Sequence, residues 1–426
     1  MPVPTGLELT AFRALRYDPD VVGDLSGVTS PPYDVIDADG VAALEASSDF
    51  NVVRLILPRE EPGHTGDRYR RAADTLGDWR ARGALVPDPE PALYVYEQRT
   101  PHGHVQRGLL GALALSPPED GIVLPHENTM AGPVSDRLAL YTAVGADLEP
   151  IFLVYGGGGA ASAAVTSAPG RTPALIDVDL PDGFRHRLWA LTDPTELTAI
   201  SHDLSGRHAV IADGHHRYAT YLQRQADRHA SGAGPGPWDF GLTFLVDDAA
   251  FGPEVHAIHR VVPGHRSAEL ARAAAQGATV REVGGLTDGL AALAEAGLRG
   301  PAFLLADGSQ HTTWLVTDPD PIRMAAAMPA ERSGVWRRLD VSVLHAYVVQ
   351  ELWQLADRED TVGYEHDVPA ALAAAERGAG TAVLLNPTPV SAVTRVAAGG
   401  ERMPRKSTLF TPKPRTGLVI RDHRDA

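Results

Sequence analysis

The sequence predicts an α/β or α+β chain built from mixed sheets with flanking helices. Short apolar runs bounded by Gly, Pro and Asp, such as ALYVYEQR, QRGLLGALALS, PIFLVY and WDFGLTFLVDD, read as strands. Between them lie segments with apolar residues at steps of three and four, which read as helices. The two kinds are mixed along the whole chain, with no solenoid period. With 426 residues, 44% of them hydrophobic, the chain can bury a sizeable core and form two or three domains.

In order, VTSPPYDVID is extended and stiff, because Pro31 and Pro32 fix their own φ and keep the residues before them out of the helical region. NVVRLILP reads as a strand ended by Pro58. GDRYRRAADTLGDWRARGAL reads as a helix with a stripe of Tyr69, Ala73, Leu76, Trp79 and Gly83. ALYVYEQR and QRGLLGALALS are expected to be neighbouring strands around the turn TPHGH. PVSDRLALYTAVGADLEPIFLVYG runs from a helix into a strand. GGGGA then opens a loop without dinucleotide spacing or a following Lys-Ser/Thr. TPALIDVDLPDGFRHRLWALTD reads as strand, turn, strand. HAVIADG is a strand stopping at a glycine turn, HHRYATYLQRQADR starts a helix, and EVHAIHRVV reads as one further strand.

From Ser267 the pattern shifts to alanine- and leucine-rich helices, with short strands in PAFLLAD and HTTWLVTD and an apolar helix in LDVSVLHAYVVQELW. A boundary is therefore expected near residue 265. Residues 1–265 form a mixed α/β domain carrying SPPYDV, LPHENT and ADGHHRY. Residues 266–426 form an α/β region with a helical insert and the basic segment MPRKST, expected to complete the site.

Formal net charge is −16, which disfavours nucleic-acid backbones as partners. The absence of cysteine excludes disulfides, thiol catalysis and cysteine metal sites. The start MPVPTGLELTAFRALRYDPD lacks the basic head and apolar stretch of a leader, and no run approaches about 20 apolar residues. A cytoplasmic protein with no membrane partner is expected.

The corner ADGHHRY is the sharpest chemical signal. A helix start exposes unpaired N–H groups and partial positive charge. Gly214 allows close approach, and His215 and the Arg217 fork add donors for a phosphate. The plain alternative is a turn in which Asp213 caps the helix. Adjacent histidines point apart on a helix, so a metal at Asp213 needs remote ligands such as Glu127. In LPHENT, Glu127 is a candidate general base or Mg²⁺ ligand, set against a helix cap, and Arg137 is a candidate second anion contact. In SPPYDV, Tyr33 and Asp34 sit on a rigid segment suited to placing a catalytic group, or to simple packing. MPRKSTLFTPKPRTG concentrates Arg405, Lys406, Lys413 and Arg415 beside Ser407 in an acidic chain, as a phosphate clamp or a solvated basic loop. His345, flanked by apolar residues, reads as a satisfied buried histidine.

SPPYDVI, NVVRLILP, LPHENT, PIFLVY, VIADGHHRYATY, HAIHRVV, MPRKSTLF and PKPRTGLVI, in this order, resemble the bacterial and archaeal domain-of-unknown-function family 1015. DGHHR alone is similar to the phosphate-binding corner of the ParB–sulfiredoxin superfamily, which includes free-serine kinases. That likeness implies a ParB–sulfiredoxin-like core around the turn. It puts Gly214, His215 and Arg217 on phosphate and Asp213 on the turn or on Mg²⁺. It places no catalytic base.

The reading that follows is phosphoryl transfer to a small hydroxylated metabolite such as serine, with a nucleotide (ATP or ADP) and Mg²⁺. Glu127, Asp34 and His216 are the catalytic candidates. Gly214, His215, Arg217, Arg137, Arg405, Lys406 and Ser407 are the phosphate contacts. A phosphomonoesterase of phosphoserine type, or a non-enzymatic sensor of a nucleotide or phosphometabolite, uses the same cradle.

Overall fold

The computed structural model describes residues 5–60, 67–308, 312–358 and 360–425. Residues 1–4, where the leader reading begins, and His311 of HTTWLVTD lie outside the described residues. The chain divides into two compact units, Met1–Pro253 with Pro412–Ala426, and Glu254–Thr411. The division falls before the position near 265 expected from composition, and the last fifteen residues return to the first unit.

The first unit is built on a nine-stranded mixed sheet. Its strands are β1 (Leu9–Thr10), β2 (Leu93–Arg99), β3 (Val105–Ala114), β4 (Val123–Leu124), β5 (Ile151–Tyr155), β6 (Ile176–Asp179), β7 (Arg185–Leu191), β8 (Ala209–Asp213) and β9 (Phe240–Asp247). The order is β4-β8-β5-β9-β3-β2-β7-β6, with β1 on β3. β5–β9 and β4–β8 are parallel pairs, and the others are antiparallel. The central strands β2, β3, β5 and β9 are buried almost throughout, which is why they read as continuous apolar runs.

The helices of this unit include α1 (Arg68–Ala81), α2 (Ala131–Val144), α3 (Gly159–Ser167), α4 (Pro194–Leu204) and α5 (His215–Ala230). The expected stripe of α1 goes into the core at Leu76 and Trp79, with Ala72 buried beside them. Leu76, Trp79, Leu93, Leu109, Leu140, Leu153 and Tyr221 belong to one continuous core. The buried energy scales with this apolar area, at about 25 cal/mol per Å².

NVVRLILP is not a strand. Val53–Ile56 is a buried helical turn. Asn51 sets it: Val53 N–H donates to Asn51 Oδ1 at 3.0 Å, and Asn51 Nδ2 donates to Gly27 O at 2.8 Å. This local side-chain cap outweighs the β propensity of the valines and isoleucine.

The second unit carries a six-stranded, wholly antiparallel sheet. Its strands are β10 (His259–Val262), β11 (Thr279–Val283), β12 (Phe303–Ala306), β13 (Thr313–Thr317), β14 (Gly363–Glu365) and β15 (Thr381–Leu385), in the order β11-β13-β12-β15-β10-β14. Helices α6 (Ser267–Ala274), α7 (Leu286–Gly297) and α8 (Val368–Arg377) flank it, and Leu293, Leu304, Leu315, Leu372 and Leu384 share its core. EVHAIHRVV splits in two: Glu254–His256 pairs with Leu409–Thr411, while β10 joins the larger sheet. The apolar helix of LDVSVLHAYVVQELW forms, but Leu344–Leu352 winds as a π-helix. Among the described residues, no helix is long and apolar enough to cross a membrane.

Candidate functional site

β8 ends at Asp213, where its register against β5 shifts by a bulge after Ile211. Gly214 then takes φ +97°, ψ 28°, and α5 begins at His215. A Cβ at Gly214 would lie 3.2 Å from the Arg217 guanidinium, so both the left-handed φ and the close packing call for glycine. The N-cap residue Gly214 gives this sixteen-residue helix no side-chain cap, and the start of a helix carries the positive end of its dipole.

The LPHENT loop folds onto that helix start. His126 N–H donates to His215 Nε2 at 3.3 Å, and Met130 N–H donates to His216 Nε2 at 3.1 Å. Each acceptor nitrogen therefore carries no proton, and the neutral rings hold theirs on Nδ1. His215 Nδ1 faces Glu127 Oε2 at 4.0 Å, and the His126 and His215 rings meet edge to face at 4.7 Å. Burial, with Arg217 nearby, holds His216 below the usual histidine range despite Asp34 and Asp213.

The C-terminal return supplies the cation. Ser30 and Thr416 exchange backbone hydrogen bonds of 3.1 and 2.9 Å, which brings SPPYD alongside PKPRTG. Gln106 Nε2 donates to Pro412 O at 2.9 Å and Gln98 Nε2 to Lys413 O at 2.8 Å, fixing the backbone there. Lys413 Nζ then lies 2.9 Å from Asp34 Oδ2 and 2.6 Å from Asp213 Oδ1. Burial opposes the Lys413 charge, but the two carboxylates outweigh it and raise its pKa. Asp34 is held below the usual carboxylate range: burial works against its charge, and Lys413 and Arg217 prevail.

Arg217 and Arg137 are both buried. Arg217 is 1% exposed; Nη1 donates to Pro150 O at 2.7 Å and Nη2 to Asp213 Oδ2. Burial works against its charge, yet Glu149, Asp213 and Asp34 hold it protonated. Arg137 is buried on Ile56 O (2.6 Å) and Asp136 Oδ2, with its guanidinium 4.4 Å from the centre of the Tyr33 ring. Both guanidiniums brace the walls of the corner.

Glu149 is a residue that sequence reasoning misses. It is fully buried, and its Oε1 accepts from Tyr33 N at 3.0 Å and Thr416 Oγ1 at 3.4 Å. Its Oε2 and the nearby Tyr141 hydroxyl are buried with no hydrogen-bond partner among the described residues. Burial raises Glu149 above the usual carboxylate range, against the pull of Arg217 and Arg137. The available signal is a lone acid in LEPIF, set against a wholly apolar strand.

The donor set does not fit a divalent ion as arranged. Lys413 occupies Asp213 Oδ1 and Arg217 occupies Oδ2, so an ammonium stands where a metal would join Asp34 and Asp213. Among the described residues, no three His, Asp or Glu side chains gather as a metal site. Glu127 faces His215 instead. Arg405, Lys406 and Ser407 belong to the second unit.

The GGGG loop is closed by protein carboxylates. Gly158 N–H donates to Asp247 Oδ2 at 3.2 Å, and Ala161 N–H donates to Asp203 Oδ2 at 2.9 Å. Those acids stand where phosphate oxygens would in a phosphate loop.

Residues 9–342 match the model of the family described as protein of unknown function (DUF1015), and the chain belongs to that family. No curated protein matches. Among solved structures, the chain is similar to a free serine kinase in complex with AMP, at 15% identity and TM-score 0.33, over 71% of this chain and 90% of that one. It is also similar to C-terminally truncated SbnI from Staphylococcus aureus, at 11% identity and TM-score 0.36, over 73% and 87%. A conserved hypothetical protein from Pyrococcus furiosus matches at 14% identity and TM-score 0.31, over 71% and 94%.

Proposed function

We propose that the first unit binds the phosphates of a nucleotide at the start of α5 and transfers a phosphoryl group to a small hydroxylated metabolite, with serine as the leading candidate. The observation that carries this reading is Lys413, held between Asp34 and Asp213 beside a helix start opened by a left-handed glycine. The likeness of DGHHR to the ParB–sulfiredoxin phosphate corner points the same way.

In this reading the amides after Gly214 and the Lys413 ammonium take the phosphate charge. The acceptor oxygen bonds to the terminal phosphorus while the bond from that phosphorus to its bridging oxygen breaks, leaving the departing nucleotide with the electron pair. Asp34 receives the hydroxyl proton. Its depressed pKa suits a loose transition state, in which the proton leaves late and positioning dominates. His215, oriented by Glu127, and neutral His216 hold the LPHENT loop over the corner. Arg217 is a positioning residue that fixes Asp213. Because Asp34 and Asp213 already share one ammonium, a sensor that binds the same ligand without turnover is the second reading.

³¹P NMR of the protein with ATP or ADP and serine tests the reading. Phosphoserine formation is expected, lowered by about 10²-fold or more in Asp34→Asn. Binding without turnover leaves the sensor. Release of inorganic phosphate from phosphoserine without nucleotide makes the protein a phosphomonoesterase.

A further inference from the structure

Glu149 and Pro150 directly precede β5, whose Ile151 and Phe152 pair with Thr243 and Asp213 in the central sheet. This short stretch holds three segments at once. Glu149 Oε1 accepts from Tyr33 N–H at 3.0 Å and from Thr416 Oγ1 at 3.4 Å. The Glu149 backbone oxygen accepts from Tyr221 OH of α5 at 3.3 Å. Pro150 O accepts from Arg217 Nη1 at 2.7 Å, and the same guanidinium holds Asp213.

The two ends of the Asp34–Lys413 contact are held differently. The backbone around Lys413 is fixed by Gln98 on β2 and Gln106 on β3. Asp34 lies in the short turn Tyr33–Val35, whose own bond runs from Val35 N–H to Pro32 O at 3.2 Å. Pro31 and Pro32 have no N–H to give. Tyr33 therefore carries the first amide after Ser30 that can anchor the segment, and Glu149 takes it. Glu149 and Thr416 are fully buried. An acid in such a place is unfavourable in itself. An apolar side chain would fill the space without joining SPPYD to PKPRTG.

We infer that Glu149 is the positioning residue of the corner: by gripping the Tyr33 amide it sets Asp34 against Lys413. Its part in phosphoryl transfer rests on the function proposed above, whereas its hold on Asp34 is a matter of geometry alone. Displacing a reacting group by about 1 Å can cost about 10²-fold in rate.

The test reads the proton occupancy of Asp34 from its carboxyl carbon NMR signal in the full chain at about pH 4, near the ordinary carboxylate value. Glu149→Gln and Glu149→Leu both remove the ionisable group, and glutamine keeps the acceptor oxygen. Lys413, Arg217 and His216, which act on Asp34, are the same in both. Occupancy in Glu149→Gln is expected to be no greater than in the parent. In Glu149→Leu it is expected to be at least about twofold greater, the signature of a carboxylate drawn away from its ammonium. Glu149→Asp keeps the charge and shortens the reach, is expected to raise the occupancy likewise, and decides the matter if the leucine variant does not fold. With ATP and serine, Glu149→Leu is expected to lower turnover about tenfold or more while nucleotide affinity stays within about threefold, and Glu149→Gln to retain turnover. The positioning role is overturned if Asp34 has equal occupancy in the glutamine and leucine variants, or is unmoved in Glu149→Asp. If Asp34 responds as stated and the parent transfers no phosphoryl group, the proposed function fails and the hold of Glu149 on Asp34 stands.

Discussion

Lys413 Nζ lies 2.6 Å from Asp213 Oδ1, joining the last fifteen residues of the chain to the end of β8. The same ammonium reaches Asp34, so three segments distant in sequence meet on one charge. Replacing Lys413 by Met leaves two carboxylates facing each other and removes the cation offered to phosphate. Nucleotide affinity is expected to fall about 10- to 100-fold, with a smaller loss for Lys413→Arg, read by calorimetric titration with ADP.

Nucleotide binding at this corner is expected to persist without a divalent ion, because Lys413 and Arg217 already occupy the Asp213 oxygens. ADP titrated with and without a chelator is expected to give affinities within about threefold. A loss beyond roughly tenfold assigns the charge neutralisation to a metal instead.

Gly214→Ala places a Cβ 3.2 Å from the Arg217 guanidinium at φ +97°. The left-handed conformation alone costs about 1–2 kcal/mol. Urea unfolding of the first unit is expected to show a loss of at least that size.

Glycine, proline and charge patterns make much of this corner legible in advance. ADGHHRY reads as a strand, a glycine turn and a helix, and Gly214 does open α5. What escapes is long-range. Nothing local tells that Lys413, one of a basic stretch, folds back through the Ser30–Thr416 pairing to Asp34. Nor does spacing reveal that Arg217 and Arg137 turn inward, since their acceptors include the carbonyls of Pro150 and Ile56, which any sequence offers. β11 goes unseen because it is a largely exposed edge strand with little apolar alternation.

The C-terminal return is locked by Asp147, fully buried on Arg224 (2.9 Å), Arg421 (2.9 Å) and His423 (3.1 Å). Asp147→Asn keeps the shape but leaves two buried guanidiniums uncompensated. A loss of about 3–5 kcal/mol is expected in denaturant unfolding, together with weaker ADP binding as Lys413 loses its anchor.

Acid is expected to weaken the first unit through His186. This ring is 2% exposed and shares a hydrogen bond between its Nδ1 and Tyr96 OH, 2.8 Å away; burial, with Arg415, lowers its pKa to about 3. The unfolded chain binds the proton first, near pH 6.5, so stability falls as pH drops below that value and continues to fall to about 3. The full effect is on the order of 5 kcal/mol. His186→Phe, which keeps the stack on Phe184, is expected to flatten the slope between about pH 6.5 and 4.5. An unchanged slope assigns it to other groups.

The most direct measurement is an ADP titration followed by the backbone amide signals of Gly214 to Arg217 in the full chain. The expected result is a saturable downfield shift of the His216 and Arg217 amides that disappears in Lys413→Met. Amides that stay in place while ADP binds elsewhere, or no binding of ADP, ATP or phosphoserine at millimolar concentration, would contradict a phosphate site at the start of α5.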